Sequence, residues 1–335
     1  MTAFRPLFIH QYPDWTRFRY NSQSVMDALG QTRLQEGRLI GVTNLVNDNA
    51  EEMQMLAQDI AANYALDDRN LDPQKVKTEI AKKNNARDDI RNMVGALQNA
   101  KQPLTAERLF AWHAAIGQNK VKKFRTKESA VGSFTGISAE RIPLEMERFI
   151  DWIENSTTDG AIKAAVAHFW FLTIRPFEDG NGRIARALTT MILARSENTS
   201  HCLFALCPQI LEEREEYFRQ LLKAQSGNGD LTEWILWFLQ IMRRSIEVRE
   251  RDIADTLKKI QFEQKNKDAA LSERERKIVN AAWEGTLPAT FSVKEAAALT
   301  GTSHDSALRD IQALIQKGIV RAESKGGRSQ KYSLA

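Results

Sequence analysis

The sequence predicts a mainly α-helical protein. Apolar residues recur at helical spacing through most of the 335 residues, whereas alternating β patterns are confined to a few short stretches. The strongest helical signal is the segment from Ala161 to Thr173, which is apolar on nearly all sides. A helix with this pattern has no face suited to water, so we expect it to be the buried centre of an all-α core.

Shorter patterns predict the helices that precede this core. We expect two short helices, from Ser22 to Gly30 and from Thr32 to Val42, and then a longer amphipathic helix that begins at Asn49. Asp72-Pro73 predicts the start of a further helix, because proline is favoured at the first helical position. Together these segments suggest a helical N-terminal domain.

The helical pattern lapses from Val121 to Ile142. Gly132 and Gly136 lie between apolar residues there and predict a short hairpin or loop, and helical spacing resumes at Pro143. The predicted organisation is an N-terminal helical domain (1–90), a core domain (91–247), a linker helix (248–270) and a C-terminal domain (271–335).

The C-terminal domain has a different character. Its pattern is helix, helix, tight turn, helix and then two strands around a glycine-rich tip, which is typical of a winged helix-turn-helix. From Thr286 onward the sequence contains seven Lys or Arg residues and four Asp or Glu residues, a net charge of +3. Double-stranded DNA is therefore a candidate partner. The candidate DNA contacts are Arg309 on the third helix and Lys325, Arg328 and Lys331 around the tip.

Composition restricts the functional class. The chain is 42% hydrophobic and 27% charged, as in ordinary globular proteins, and its net charge of +4 is a weak indication of an anionic partner. The spacing of Cys202 and Cys207 fits no usual zinc pattern, so buried free thiols are expected. No signal-peptide pattern or apolar run of 18 residues is present, and we expect a cytoplasmic protein without a membrane partner.

The segment from Ile174 to Arg186, IRPFEDGNGRIAR, carries the clearest chemistry. Its Gly-Asn-Gly loop leads into a helix, and the free N–H groups and dipole of a helix start favour bound anions. Arg183 and Arg186 are three residues apart, so both guanidinium groups can reach one oligophosphate. Asp179 offers an oxygen ligand for Mg²⁺ on that phosphate.

Seven residues of this segment match the motif of the Fic family, His-x-Phe-x-Asp/Glu-Gly-Asn-Gly-Arg-x-x-Arg. They are Phe177, Asp179, Gly180, Asn181, Gly182, Arg183 and Arg186. A match of this length is highly specific, and the chain therefore resembles Fic proteins. The resemblance implies a Fic-type helical core with a short β-hairpin flap. It also implies a helical domain before the core and a winged helix-turn-helix after it.

The resemblance further implies a protein adenylyltransferase, which transfers AMP from ATP to a hydroxyl group of a target protein. Asp179 would hold Mg²⁺, and Gly180 to Gly182 would line the anion hole. Arg183 and Arg186 would bind the β- and γ-phosphates. The implied partners are the nucleotide, a target protein and, at the level of the family, a second copy of the chain.

One motif residue is missing, because Arg175 occupies the position of the family's catalytic histidine. A guanidinium group has no acceptor atom and stays protonated at neutral pH, so it cannot take a proton from an attacking hydroxyl group. Losing a general base typically costs on the order of 10²–10⁴ in rate. Two interpretations of Arg175 follow. Its guanidinium group is well suited to binding phosphate, or the side chain simply folds back onto Glu178 or a helix end.

Two further departures concern regulation and target docking. Many Fic proteins carry an inhibitory helix with the pattern Ser/Thr-x-x-x-Glu-Gly/Asn, and the matching residues here are Asn63, Asp67 and Asp68. Asp67, which is shorter than glutamate, could still reach Arg186. The segment from Lys120 to Ala139 also looks shorter than the family's docking hairpin, which predicts impaired target binding.

Three functional hypotheses follow. The first is a degenerate Fic protein that keeps its ATP- or anion-binding loop, transfers AMP poorly or not at all, and acts as a regulator. The second is an active adenylyltransferase with a substitute base, for which His168 is the nearest residue by sequence although core packing explains it better. The third is a DNA-binding transcriptional regulator that uses the Fic core as a sensor or dimerisation module.

Overall fold

The computed structural model describes residues 7–43, 49–82, 90, 94–95, 97, 99–116, 123–199, 201–267, 269–323 and 330–335. These residues are mainly helical, which confirms the predicted fold class. The chain divides into two compact units, Met1–Ile253 and Ala254–Ala335. The division into four domains made from the sequence stays a prediction.

Three helices form the N-terminal part of the first unit: α1 (Ser22–Thr43), α2 (Asn49–Ala65) and α3 (Pro73–Ala81). The prediction of two short helices before Val42 was wrong, because α1 runs without a break through Gly30. A glycine inside a helix costs only about 1 kcal/mol. The buried residues Val25, Leu29 and Leu39 give the helix one continuous inner face that offsets this cost. The predicted start of α3 is confirmed, since the Asp72 side chain accepts from the N–H of Gln74 at 2.9 Å.

Helices α4 (Ala106–Ile116) and α5 (Ile142–Asn155) flank a short antiparallel hairpin. Its strands are β1 (Ala130–Val131) and β2 (Phe134–Thr135), and Val131 pairs with Phe134. The predicted hairpin is therefore confirmed.

The centre of this unit is a pair of helices, α6 (Gly160–Ile174) and α7 (Asn181–Ser196). Every residue of α6 from Ala161 to Ile174 is buried except Lys163, which confirms the predicted central helix. Asp159 caps α6 by accepting from the N–H of Ala161 at 2.8 Å. Trp15 and Phe18 pack edge-on against Trp170 of α6 and anchor the N-terminal segment to the core.

Three more helices follow in the chain: α8 (Cys207–Glu212), α9 (Arg214–Gln225) and α10 (Thr232–Lys265), of which α10 continues past Ile253 into the second unit. The indole N–H of Trp234 on α10 donates to the carbonyl of Ala165 at 2.8 Å, which ties α10 to the central helix. Cys202 and Cys207 are buried free thiols, as expected. In the part of the chain that the structure describes, no helix is long and apolar enough to cross a membrane.

The second unit contains α11 (Glu273–Trp283), α12 (Val293–Thr300), α13 (His304–Gln316), β3 (Val320–Ala322) and β4 (Tyr332–Leu334). Ser272 and Ser292 begin the first two of these helices with capping boxes, in which each serine and a glutamate three residues later bond each other's backbone N–H. The strands pair antiparallel, with Arg321 opposite Ser333. The predicted order of helices and strands is confirmed, and assignment to the winged helix class stays a prediction.

Candidate functional site

The loop between α6 and α7 is shaped by two left-handed residues and one asparagine. Arg175 (φ 51°) ends α6, and Gly180 (φ 74°) precedes α7. The amide of Asn181 bonds Phe177 twice, since its Oδ1 accepts from the backbone N–H at 3.0 Å and its Nδ2 donates to the carbonyl at 2.8 Å. The Asn181 side chain is thus committed to holding the loop, which leaves the backbone N–H groups at the start of α7 to face an anion.

This loop forms one wall of a cavity of about 610 Å³. The hairpin contributes residues 131–134, and α9 contributes another wall that includes Tyr217. The predicted site residues that line the cavity are Asp67, Asp68, Arg175, Asp179, Gly180, Asn181, Gly182 and Arg186. Asn63, Phe177 and Arg183 are not in the lining; each is 1% exposed. The tertiary structure therefore brings most of the predicted residues to one cavity.

Asp67, in the turn that follows α2, contacts both Arg183 and Arg186. Its Oδ2 lies 2.8 Å from Nε of Arg183 and its Oδ1 lies 3.0 Å from Nη2 of Arg186. Asn63 adds two acceptors for Arg186, its side-chain oxygen at 2.5 Å and its carbonyl at 2.9 Å. The predicted reach of Asp67 to Arg186 is confirmed as a contact, and its inhibitory role stays a prediction.

The electrostatics of this contact follow from burial. Arg183 and Arg186 are 1% and 2% exposed. Burial by itself would lower the pKa of Arg186, but the neighbouring carboxylate of Asp67 raises that pKa above its ordinary value. Asp67 thus supplies the negative charge that these two buried guanidinium groups require. Asp68 points elsewhere, pairing with Arg214 at 3.0 Å with its own side chain 80% exposed.

Arg175 reaches the hairpin and not Glu178. Its backbone N–H donates to the carbonyl of Phe171 at 2.9 Å, and its Nε donates to the hydroxyl of Ser129 at 3.2 Å. Burial, followed by the nearby Arg125, lowers the pKa of Arg175. A guanidinium group still has no lone pair to offer, so the Arg175 side chain presents hydrogen-bond donors alone.

Arg125 is a structural residue of the site that sequence reasoning missed. Its guanidinium group donates to the carbonyls of Lys127, Ile137, Ile174 and Arg175, and it is 5% exposed. These bonds join the base of the hairpin to the motif loop. Nothing in the spacing of the sequence distinguishes Arg125 from the neighbouring lysines, so no sequence signal identified it.

Asp179 has the chemistry expected of a single Mg²⁺ ligand. Its side chain is 74% exposed at the cavity wall, and its Oδ1 accepts from the N–H of Gly180 at 2.6 Å. The other oxygen lies 3.5 Å from nitrogens of both Arg69 and Arg183. Mg²⁺ is commonly held by one or two carboxylates together with phosphate and water, so this carboxylate beside an anion cavity fits the ion.

His168 is not available as a substitute base. The Thr189 hydroxyl donates to the carbonyl of Ala185, so it accepts from Nδ1–H of His168 at 2.8 Å. The other ring nitrogen then accepts from the hydroxyl of Tyr217 at 2.9 Å. Burial, with a smaller effect of Arg186, lowers the pKa of His168 to about 3. Core packing therefore explains this histidine, in agreement with the sequence-based interpretation.

The candidate DNA contacts lie in the second unit. Arg309 is exposed on α13. Lys331 lies 3.2 Å from Glu295, whose pKa is lowered to about 2, chiefly by its bonds to Ser292 and then by Lys331 itself. Lys325 and Arg328 lie outside the described residues.

Comparisons with known proteins agree with this geometry. Residues 103–193 match the family model "Fic/DOC family", and residues 8–85 match "Domain of unknown function (DUF4172)". Protein adenylyltransferase fic-1 of Caenorhabditis elegans is 33% identical over 130 residues, covering 37% of this chain and 24% of that protein. A probable protein adenylyltransferase of Aquifex aeolicus is 26% identical over 133 residues, covering 38% of this chain and 39% of that protein.

Solved structures show the same fold. A Fic family protein from Desulfovibrio desulfuricans G20 superposes with a TM-score of 0.59 at 19% identity, covering 94% of this chain and 97% of that one. Fic-1 of C. elegans superposes with a TM-score of 0.53 at 19% identity, covering 69% and 74%. The chain spans only about a quarter of the length of full fic-1. Residues 103–193, which contain the motif loop, are therefore a Fic/DOC family domain whose relatives include protein adenylyltransferases.

Proposed function

We propose that this protein binds ATP with Mg²⁺ at the motif loop but transfers AMP poorly or not at all, and that it acts as a regulator. The observation that carries the proposal is Arg175. It lines the same cavity as the loop, in the position of the family's catalytic histidine, and it presents no proton acceptor.

The rest of the anion site supports nucleotide binding. Asn181 and Gly182 offer backbone N–H groups at the start of α7, whereas the N–H of Gly180 already donates to Asp179. Asp179 would hold the Mg²⁺ that neutralises the phosphates. Arg175 adds a further positive charge to the cavity. An attacking hydroxyl group, in contrast, would have no base in the motif position, and that loss costs on the order of 10²–10⁴ in rate.

Asp67 supports a regulated site. In the structure its carboxylate occupies the guanidinium groups of Arg183 and Arg186, the two residues that would bind the β- and γ-phosphates. A nucleotide that uses both arginines must therefore displace Asp67. We infer that Asp67, in the turn after α2, acts as a clamp that limits how tightly ATP binds.

The test compares the unaltered protein with Arg175→His, using labelled ATP, Mg²⁺ and cell lysate. Histidine suits this position, because it is one of the residues that adopt a left-handed backbone more readily than most. We expect calorimetric binding of ATP by both proteins and protein labelling that is absent or weak until Arg175→His is introduced. Robust labelling by the unaltered protein would establish the alternative, an active adenylyltransferase with another base. Absence of ATP binding in both proteins would refute the retained nucleotide site.

The remaining alternative is a DNA-binding transcriptional regulator, and the exposed Arg309 on α13 favours it. The pairing of Lys331 with Glu295 reduces the charge available for phosphate on that side of the unit. Titration of double-stranded DNA at low salt tests this alternative, with Arg309→Gln expected to weaken binding if α13 contacts DNA.

A further inference from the structure

A histidine outside the motif, His113 on α4, contacts the motif loop. Its Nε2 lies 3.1 Å from the carbonyl oxygen of Asp179, which is 66 positions later in the chain. A carbonyl group can only accept a hydrogen bond, so Nε2 carries the proton and donates it. The other ring nitrogen is buried and has no hydrogen-bond partner among the described residues, which agrees with this tautomer. Burial lowers the pKa of His113, so the ring is neutral at pH 7.

The face of the same imidazole ring supports a second motif residue. It stacks on the ring of Phe177, with 4.3 Å between the ring centroids and 19° between the ring planes. Phe177 is buried, and its backbone makes the two hydrogen bonds to the Asn181 side chain that shape the loop. His113 therefore holds the loop at two points, by stacking on Phe177 and by donating to Asp179.

One peptide plane connects this hydrogen bond to the carboxylate of Asp179. The carbonyl of Asp179 and the N–H of Gly180 belong to the same planar peptide group. The carbonyl accepts from His113, and the N–H donates to Oδ1 of Asp179 at 2.6 Å. Gly180 (φ 74°) restricts the backbone less than any residue with a Cβ would, so these two hydrogen bonds set the orientation of the plane.

We propose that His113 is a positioning residue for Asp179, the expected Mg²⁺ ligand. By fixing the peptide plane between Asp179 and Gly180, its Nε2–H holds the carboxylate in place at the wall of the nucleotide cavity. The identity of the ion rests on the proposed function, whereas the contact with His113 does not. Groups that orient a metal ligand through hydrogen bonds typically contribute roughly 10- to 100-fold to metal affinity.

Two substitutions separate the donor of His113 from its ring. His113→Phe keeps an aromatic ring beside Phe177 but removes the Nε2 donor. His113→Gln removes the ring but keeps an amide donor of similar reach. The matched control is His10→Phe, because His10 donates in the same way to the carbonyl of Thr135 in the hairpin, at 2.8 Å. This control removes an equivalent hydrogen bond and leaves the motif loop intact.

Hydrogen exchange in the absence of nucleotide tests the contact itself. In His113→Phe the N–H of Gly180 should exchange at least about tenfold faster than in the unaltered protein, because one end of its peptide plane is no longer held. His113→Gln should recover most of the protection, and His10→Phe should not change it. Unchanged exchange in His113→Phe, or equal acceleration in His113→Gln, would overturn the positioning role.

Calorimetric titration with ATP, with and without Mg²⁺, tests the consequence. His113→Phe should weaken ATP binding about tenfold when Mg²⁺ is present and leave binding without the metal unchanged, whereas His10→Phe should keep the Mg²⁺ dependence of the unaltered protein. Equal weakening of ATP binding with and without Mg²⁺, or an unaltered Mg²⁺ dependence in His113→Phe, would overturn the positioning role. If the unaltered protein failed to bind ATP, the proposed function would be refuted, and hydrogen exchange alone would decide whether His113 fixes the loop.

Discussion

The clamp formed by Asp67 predicts opposite changes in stability and nucleotide affinity. In the variant Asp67→Asn the side chain keeps an acceptor oxygen but loses its charge. The two guanidinium groups that it contacts are almost completely buried, so they lose their common counter-ion without gaining access to water. Folding should therefore suffer, whereas an incoming phosphate should meet less competition.

The size of both effects can be worked from the contacts. A hydrogen bond to a charged group contributes about 1.5–3 kcal/mol, and Asp67 makes two, at 2.8 and 3.0 Å. Asparagine can still accept one of these hydrogen bonds, although without the charge. We therefore expect the free energy of unfolding to fall by about 3 kcal/mol. ATP must break these contacts when its phosphates bind Arg183 and Arg186. If the variant lowers that cost by about 1.4–2.8 kcal/mol, its affinity for ATP rises by roughly 10- to 100-fold.

The assays are urea unfolding for stability and calorimetric titration with ATP and Mg²⁺ for affinity. The control is the same change one residue later, Asp68→Asn. Asp68 lines the same cavity, so the two variants remove one negative charge from the same place, but Asp68 pairs with Arg214 and not with Arg183 or Arg186. Its side chain is 80% exposed, and exposed ion pairs contribute about 0–1 kcal/mol. ATP should also raise the melting temperature of Asp67→Asn more than that of the unaltered protein, because phosphate replaces the missing counter-ion.

The reasoning would be refuted if Asp67→Asn bound ATP no more tightly than Asp68→Asn. Equal stability of the two variants would likewise show that the buried guanidinium groups do not depend on Asp67.

Three other residues give predictions that are independent of nucleotide binding. Burial raises the pKa of Glu36 to about 7 in spite of Arg33, so between pH 4.5 and 7 the folded state holds a proton that the unfolded chain has lost. The free energy of unfolding therefore falls as pH rises through this window. In Glu36→Gln, the difference between the free energies of unfolding at pH 5 and pH 8, measured with urea, should be smaller by about 3 kcal/mol. Tyr217→Phe leaves the buried Nε2 of His168 without its donor and should cost about 1–2 kcal/mol in thermal unfolding; full stability would contradict the bond. Arg125→Met removes the donor to four carbonyls and should cost about 3 kcal/mol and speed hydrogen exchange in the hairpin; unchanged exchange there would contradict its role.

Much of the fold could be predicted from local patterns. The central helix was identifiable because an all-round apolar segment has only one stable environment, and the capped helices of the second unit because Ser-x-x-Glu pairs satisfy free N–H groups locally. The break predicted within α1 was wrong. A single glycine signals a break only weakly, and the packing of the residues on either side decides whether the helix continues.

The sequence by itself was enough to predict an anion-binding loop that lacks a proton acceptor at Arg175. Gly180 to Gly182, Arg183 and Arg186 lie within one loop and the first turns of one helix, so their relation follows from helical geometry. The absence of a proton acceptor at Arg175 likewise follows from the chemistry of guanidinium.

Only the tertiary structure decided what these residues contact. Asp67 meets Arg183 and Arg186 across more than 110 positions of sequence, and Arg125 joins the hairpin to a loop about 50 positions away. Such contacts depend on how helices pack, and a sequence pattern encodes each helix without encoding which partner its polar side chains will meet.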